Sequence, residues 1–148
     1  MKKTVLLLSI LLGGILFAQQ TDSIPPKPVY KHTPQYPQNA QKLRVEAEIA
    51  LNVLIGKDGN VKETDLLQAI IFFPGKNVSI ESLSDLNKIP SSHRQTAAKL
   101  LELAHQSAQQ WKFTPAMVKG KPDESVIVVP FTFKLISNTQ EKNSLKKK

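Results

Sequence analysis

The chain has 148 residues, enough for one domain, and its 41% hydrophobic and 22% charged residues are typical of a globular protein with one modest core. The absence of cysteine excludes disulfides, thiolate metal sites, cysteine nucleophiles and a lipid-modified cysteine anchor. The net charge of +8 does not predict a nucleic-acid partner, because most of the excess comes from five terminal lysines: Lys2, Lys3, Lys146, Lys147 and Lys148.

Residues 1–18 have the three parts of a secretory signal peptide. Two lysines form a positive start, residues 4–17 form an almost continuous apolar run, and Ala18 is a small residue before polar sequence. The apolar run is roughly 14 residues long, shorter than the ~20 that a membrane-spanning helix needs. We therefore expect a cleaved leader and a periplasmic location in a Gram-negative envelope. The alternative is an uncleaved leader that anchors the chain in the inner membrane facing the periplasm, and only then is contact with a membrane expected.

The remainder of the chain divides into three parts. Residues 19–33 are rich in proline and polar residues, a composition that favours an extended linker. Residues 137–148 form a basic tail that we expect to be disordered. The folded domain is predicted between them, over 34–136.

Two strands and a tight turn are predicted at the start of this domain. From Val45 onward apolar and polar residues alternate, which is the pattern of a half-buried strand. Asp58 and Gly59 follow, and Asp-Gly between two apolar runs predicts a hairpin turn. A return strand is therefore expected over 61–71.

The main helix is predicted over 96–111, where no proline or glycine interrupts a helical spacing of apolar residues. Its inward face is expected to comprise Ala97, Leu100, Leu101, Ala104, Ala108 and Trp111. The preceding region, 72–95, is less regular. Pro74 and Gly75 break the return strand, and 80–89 is predicted as a short helix with three inward residues: Ile80, Leu83 and Leu86.

A third strand is predicted over 127–135, with Pro130 within it. Because proline cannot donate to a β-ladder, this strand is expected at a sheet edge or a bulge. The element order predicts an α+β fold of two layers: a three-stranded antiparallel sheet (β-β-α-β) with one main helix on one face. Such a sheet leaves open edges, and an open edge can take up a strand from another chain.

Five short segments follow one another in an order shared with a known protein family. They are 33–40 (Thr-Pro-Gln-Tyr-Pro-Gln-Asn-Ala), 58–61 (Asp-Gly-Asn-Val), 110–116 (Gln-Trp-Lys-Phe-Thr-Pro-Ala), 120–122 (Gly-Lys-Pro) and 129–133 (Val-Pro-Phe-Thr-Phe). With these segments the chain resembles the TonB C-terminal domain family over nearly all of the predicted domain. The resemblance implies a periplasmic module that takes up the TonB box of an outer-membrane receptor as an added strand, in TonB-dependent transport.

Carried over by position, the binding edge is the last strand from Ser125 to Lys134, with the entry segment from Thr33 to Tyr36 beside the captured peptide. The partner-binding residues that the resemblance implies are Thr33, Pro34, Gln35, Tyr36, Ser125, Val126, Ile127, Val128, Val129, Phe131 and Thr132. Backbone groups would supply the affinity, and side chains at alternate positions the preference.

Three features depart from an energy transducer of this family. The linker 19–33 is short, the leader has the pattern of a cleavable one, and 72–95 is an insertion relative to the family's usual connection. The resemblance therefore supports the predicted fold and peptide binding more strongly than it supports a role in energy transduction. One alternative is a structural or assembly component of the envelope that forms a homodimer or docks through the same edge. Another is a short transducer that keeps its leader as an anchor.

Other residues that can carry chemistry have structural interpretations. Trp111 and Phe113 are expected in the core, with ligand stacking as the alternative. Tyr36 is expected either to pack on the domain or to contact a partner. Metal-ligand spacing does not link the three histidines, His32, His93 and His105. The sequence has no phosphate-binding glycine loop and no nucleophile motif, so we expect neither a cofactor nor enzymatic activity.

The intact mass of the protein recovered from the envelope of its own host tests the leader. We expect a mass that lacks residues 1–18, because the apolar run is too short for a spanning helix and ends at a small residue. A full-length mass in the inner-membrane fraction would contradict this expectation and would favour the anchored transducer.

Overall fold

The computed structural model describes residues 22–135. The predicted leader 1–18 and the predicted basic tail 137–148 lie outside the described residues. Within 22–135, none of the helices is both long and apolar enough to cross a membrane.

The described chain contains nine strands, two α-helices and one 3-10 helix. The strands are β1 (Ser23–Ile24), β2 (Lys27–Tyr30), β3 (Glu46–Ile55), β4 (Val61–Phe73), β5 (Lys76–Ile80), β6 (Lys112–Thr114), β7 (Ala116–Val118), β8 (Lys121–Asp123) and β9 (Ser125–Phe133). The helices are α1 (Gln38–Leu43), the 3-10 helix (Leu83–Lys88) and α2 (Ser91–Gln109).

The main sheet has four antiparallel strands in the order β5-β4-β3-β9. β3 pairs along its length with β4 on one side and with β9 on the other. Its predicted alternation is confirmed, since every second side chain is buried: Ala47, Ile49, Leu51, Val53 and Ile55. The intervening side chains are half-buried and face the opposite side of the sheet.

Helix α2 packs on one face of this sheet. The buried residues of the helix include five that were predicted to face inward: Ala97, Leu100, Leu101, Ala104 and Ala108. The helix begins at Ser91, directly after Pro90, whose carbonyl accepts the first helical hydrogen bonds. It ends at Gln109, so Trp111 lies just beyond it.

The fold is therefore α+β with antiparallel sheets and one main helix, as predicted, but the prediction of a single three-stranded sheet is wrong. The main sheet has a fourth strand, β5, which lies in the region 72–95. Two small sheets, in the strand orders β1-β7-β8 and β2-β6, accompany it. β5 contains only two apolar side chains and gave no strand signal. In the small sheets, β1 and β2 pair with segments that are distant in sequence, whereas β7 and β8 are joined by a short turn.

The region 72–95 is folded onto the domain. Pro74 and Gly75 form a tight turn that leads β4 into β5, with a φ of 79° at Gly75. Ile80 is buried as predicted, but it ends a strand and does not begin a helix. Leu83 is 64% exposed, so its predicted inward position is wrong.

Arg94 of α2 ties this region to the main helix. Its guanidinium donates to the carbonyl oxygens of Leu86 at 3.1 Å, Asn87 at 3.3 Å and Ile89 at 3.1 Å. These carbonyls lie at the end of the 3-10 helix, where no following helical N–H is available to donate to them. A single side chain therefore satisfies three backbone acceptors and holds the 3-10 helix against α2.

The described part of the predicted linker 19–33 is paired with the domain. β1 pairs with β7, and β2 pairs with β6, both in antiparallel register. The backbone of these residues is extended, but it is paired with the domain as strands, so the prediction of a separate linker is wrong here. Extended backbone beside the unpaired edges of β6 and β7 completes their hydrogen bonds, and composition alone does not reveal such partners.

The predicted Asp-Gly turn joins β3 to β4 and touches β6. Hydrogen bonds from Asn60 to the Asp58 carboxylate lower the pKa of that carboxyl group. Gly59 has a φ of 80°, and its carbonyl accepts the Phe113 N–H at 2.9 Å. A Cβ placed on Gly59 would lie 2.0 Å from the Phe113 carbonyl oxygen, so no other residue fits there without a shift of the backbone.

Substitution of this glycine tests the contact. We expect Gly59→Ala to lower the free energy of unfolding by about 2 kcal/mol or more, because it adds a clash with the Phe113 carbonyl to the strain of a positive φ. Gly75→Ala is the matched control, since its φ is 79° but no atom lies near its Cβ position, and we expect a loss of about 1 kcal/mol. Urea denaturation measures both, and equal losses would contradict a role for the contact with Phe113.

Candidate peptide-binding edge

Strand β9 forms one outer edge of the main sheet. It pairs with β3 from Ser125 to Phe133 without a register shift. Among residues 22–135, no other segment makes a backbone hydrogen bond to its outer side. The expected edge position of the last strand is therefore confirmed for the described residues, and its unpaired groups are available to another strand.

Pro130 indicates which backbone groups point outward. The N–H and C=O of one strand residue point to the same side, and successive residues alternate between the two sides. Pro130 stands opposite Ala50 in an uninterrupted ladder, so its nitrogen, which carries no hydrogen, faces away from β3. By this alternation the outer edge carries the N–H and C=O groups of Val126, Val128 and Thr132.

The side chains of β9 alternate between the core and the face of the sheet opposite α2. Val129 and Phe131 are buried in the core. Val126 and Val128 are 62% and 54% exposed. Exposed β-branched side chains beside an open edge can pair with apolar side chains of a neighbouring strand. The other predicted contact residues of β9 are exposed or half-buried: Ser125, Ile127 and Thr132.

The entry segment meets β9 only near the end of the strand. Pro34 and Tyr36 line a groove of about 360 Å³ together with Thr132 and the residues that follow it. Thr33 and Gln35 are exposed and do not line this groove. The structure therefore brings together half of the predicted entry segment and the C-terminal end of the predicted edge.

Tyr36 packs on the domain. Its hydroxyl donates to the Val45 carbonyl at 2.9 Å, and its ring centroid lies 5.8 Å from that of Phe133. Burial, together with the nearby Glu46 carboxylate, raises the pKa of Tyr36. Of the two interpretations of Tyr36, packing is therefore supported, while its ring also borders the groove.

Trp111 holds the N-terminal segment against the last strand. Its indole Nε1 donates to the His32 carbonyl at 2.8 Å, and the Ser107 hydroxyl donates to the same oxygen at 2.5 Å. The indole meets the ring of Phe131 edge-on at 5.7 Å, and the Lys31 ammonium lies 5.4 Å from the indole centroid. Trp111 thus packs against the core as predicted, and it also anchors the chain before the entry segment.

Sequence patterns did not predict this anchor. Ser107 is 1% exposed and follows Ala104 by one helical turn, which places it on the inward face of α2. A polar residue on that face signals a buried hydrogen bond, because buried hydroxyls are almost always paired. The His32 carbonyl has no such signal, since every residue offers a backbone oxygen.

Ion pairs lie at both ends of β9. After the strand, the Lys134 ammonium lies 2.8 Å from the Glu48 carboxylate, and the hydrogen bond to Glu48 raises the pKa of Lys134. Before the strand, Glu124 pairs with Lys62 at 2.7 Å. All four side chains are exposed, so each pair contributes little to stability. The stretch of edge between them is uncharged.

No group of side chains among residues 22–135 has the composition and spacing to hold a metal ion. The three histidines have separate structural contacts. The His93 ring stacks on Phe73 at 5.3 Å, and His105 Nδ1 lies 2.9 Å from the Thr64 hydroxyl. Burial lowers the pKa of His105.

Substitution of Trp111 tests the anchor. Trp111→Phe keeps an aromatic ring but removes the donor to His32, and we expect faster amide exchange in β2 with a loss of about 1 kcal/mol in the free energy of unfolding. Tyr36→Phe is the control, because it removes a comparable hydrogen bond, to Val45, and should leave exchange in β2 unchanged. Unchanged exchange in Trp111→Phe would show that the indole does not hold this segment.

No family model matches this chain, and no curated protein matches it. The structural features that bear on its function are the unpaired edge of β9 and the segment with Pro34 and Tyr36 that packs at the end of that edge.

Proposed function

We propose that this chain is a TonB C-terminal-like module of the periplasm that binds an extended peptide by strand addition to β9. The single observation that carries the proposal is the outer side of β9, to which no residue of 22–135 hydrogen-bonds. The partner that the sequence resemblance favours is the TonB box of an outer-membrane receptor, so the process would be TonB-dependent transport.

The chemistry of the edge supports a peptide as the ligand. Outward N–H and C=O groups at Val126 and Val128 can continue the ladder of the sheet, and this supplies affinity for any extended backbone. The two exposed valine side chains lie on the face opposite α2, beside the position of an added strand. Apolar side chains of the peptide would pair with them, which supplies preference among peptides.

The surroundings of the edge also suit a binding role. Trp111 and Tyr36 hold the entry segment beside the end of β9 through hydrogen bonds to the backbone. β9 itself is fixed by its continuous ladder with β3, so a bound peptide would meet an ordered strand and the protein would lose little entropy on binding. The uncharged edge requires no desolvation of charged groups.

The alternative function is a structural or assembly role in the envelope, in which the same edge pairs with a second copy or docks on a larger complex without energy transduction. The exposure of Val126 and Val128 favours an interaction at this edge in either case. Sedimentation at increasing protein concentration separates the two, because a peptide-binding module remains monomeric and an assembly component associates.

Val128→Pro tests strand addition. It removes one outward N–H and places a ring on the outer side, while the ladder with β3 keeps its donors, as it does at Pro130. We expect affinity for synthetic TonB-box peptides of the host's own receptors to fall about tenfold or more, measured by calorimetry, because a hydrogen bond is lost and the peptide cannot approach.

Val128→Thr is the matched control. It keeps the backbone N–H and a β-branched side chain, so we expect affinity within about twofold of the parent protein. Equal affinities for the proline and threonine variants would overturn strand addition on β9. Circular dichroism of both variants verifies that the fold is retained.

A further inference from the structure

Pro130 interrupts the outer side of β9. Its ring stands where a donor would be, so the edge offers N–H groups at Val126 and Val128, none at Pro130, and one more at Thr132. A strand placed alongside would direct a carbonyl oxygen at the proline ring. That oxygen would find no N–H donor, and the ring would keep the two backbones from approaching to the spacing of paired strands. Since pairing with β3 continues past Pro130, the proline acts on the outer side alone.

The two halves of the edge differ in what surrounds them. After Pro130, the entry residues Pro34 and Tyr36 line the groove that includes Thr132. Before Pro130, Val126 and Val128 are exposed at 62% and 54%, and no residue of 22–135 hydrogen-bonds to the outer side. In the stretch 125–129, therefore, the outward backbone groups are unpaired and the outward side chains are exposed.

If two copies paired along the full length of β9, Pro130 of each copy would stand within the shared ladder. In an antiparallel pair with its two-fold axis at Val128, Val126 of one copy stands opposite Pro130 of the other, and the same contact recurs across the axis. A shift of the axis toward the C-terminus keeps both prolines in the ladder. A shift toward the N-terminus, with the axis at Ile127, avoids both prolines but leaves only 125–129 of each copy in the ladder. Full-length pairing of two copies thus always includes two prolines.

We propose that Pro130 is the specificity-determining residue of this edge: it prevents two copies of the chain from pairing along the full length of β9 and confines an added strand to 125–129. The partner that fits is a short extended segment with apolar side chains that pair with Val126 and Val128. The confinement of the peptide rests on the proposed strand addition, whereas the exclusion of full-length pairing does not.

Pro130→Val tests the exclusion without a ligand. It restores an outward N–H and introduces a residue suited to a strand. We expect the variant, purified from the envelope after export with its own leader, to sediment as a concentration-dependent dimer, whereas the parent protein sediments as a monomer. Pro130→Ala restores the same N–H and should also associate. If both variants remain monomeric, or if the parent protein is already a dimer with protected amides at Val126 and Val128, the proposal is overturned.

The double variant Val128→Pro, Pro130→Val is the matched control. It moves the proline to the preceding outward position and keeps the amino-acid composition, so the edge is interrupted again and the variant should return to a monomer. A double variant that still dimerises would place the new contact away from β9 and would overturn the proposal.

Amide exchange with a synthetic TonB-box peptide tests the confinement. In the parent protein we expect protection at Val126 and Val128 but not at Thr132. In Pro130→Val we expect protection to extend to Thr132, with affinity about five- to tenfold higher for the added hydrogen bond. Protection at Thr132 in the parent protein would overturn the confinement. Absence of any protection in either protein would overturn the proposed function instead, and the sedimentation result would still decide the role of Pro130.

Discussion

The central position of β3 is the constraint on which the rest of the structure depends. β3 pairs with β4 on one side and with β9 on the other, so the first long strand becomes the middle of the sheet and the last strand becomes an edge. Its inward side chains lie beneath α2 and form the middle of the core. Because β9 returns to β3 after the main helix, one side of β9 has no partner among residues 22–135, and the candidate binding edge follows from this topology.

The N-terminal segment and the last strand are both held near the end of α2. Hydrogen bonds from Ser107 and Trp111 fix the His32 carbonyl, and the Trp111 ring packs against Phe131. The entry segment therefore lies beside the C-terminal half of β9 and leaves the N-terminal half free. Pro130 divides the strand at nearly the same place. The packing of the entry segment beside the C-terminal half of β9 and the missing N–H of Pro130 thus both restrict the open edge to 125–129.

Local periodicity predicted those elements whose signals lie within one segment. The alternation of β3, the Asp58-Gly59 turn and the inward face of α2 depend on neighbours in sequence, and each is present. β5 was missed because its five residues, Lys-Asn-Val-Ser-Ile, contain only two apolar side chains. β1 and β2 were missed because their partners, β7 and β6, lie far along the chain, and a proline-rich composition says nothing about distant hydrogen bonds.

For the candidate site, the sequence by itself restricted the strand around Pro130 to a sheet edge or a bulge, since a residue without an N–H cannot donate to two paired neighbours. Only the tertiary structure decided which side of β9 is open, that Tyr36 packs on the domain while Thr33 and Gln35 do not line the groove, and that Trp111 anchors the His32 carbonyl. The physical reason is that backbone restrictions act within a residue and its neighbours, whereas edges, grooves and anchors arise from groups brought together across the whole chain.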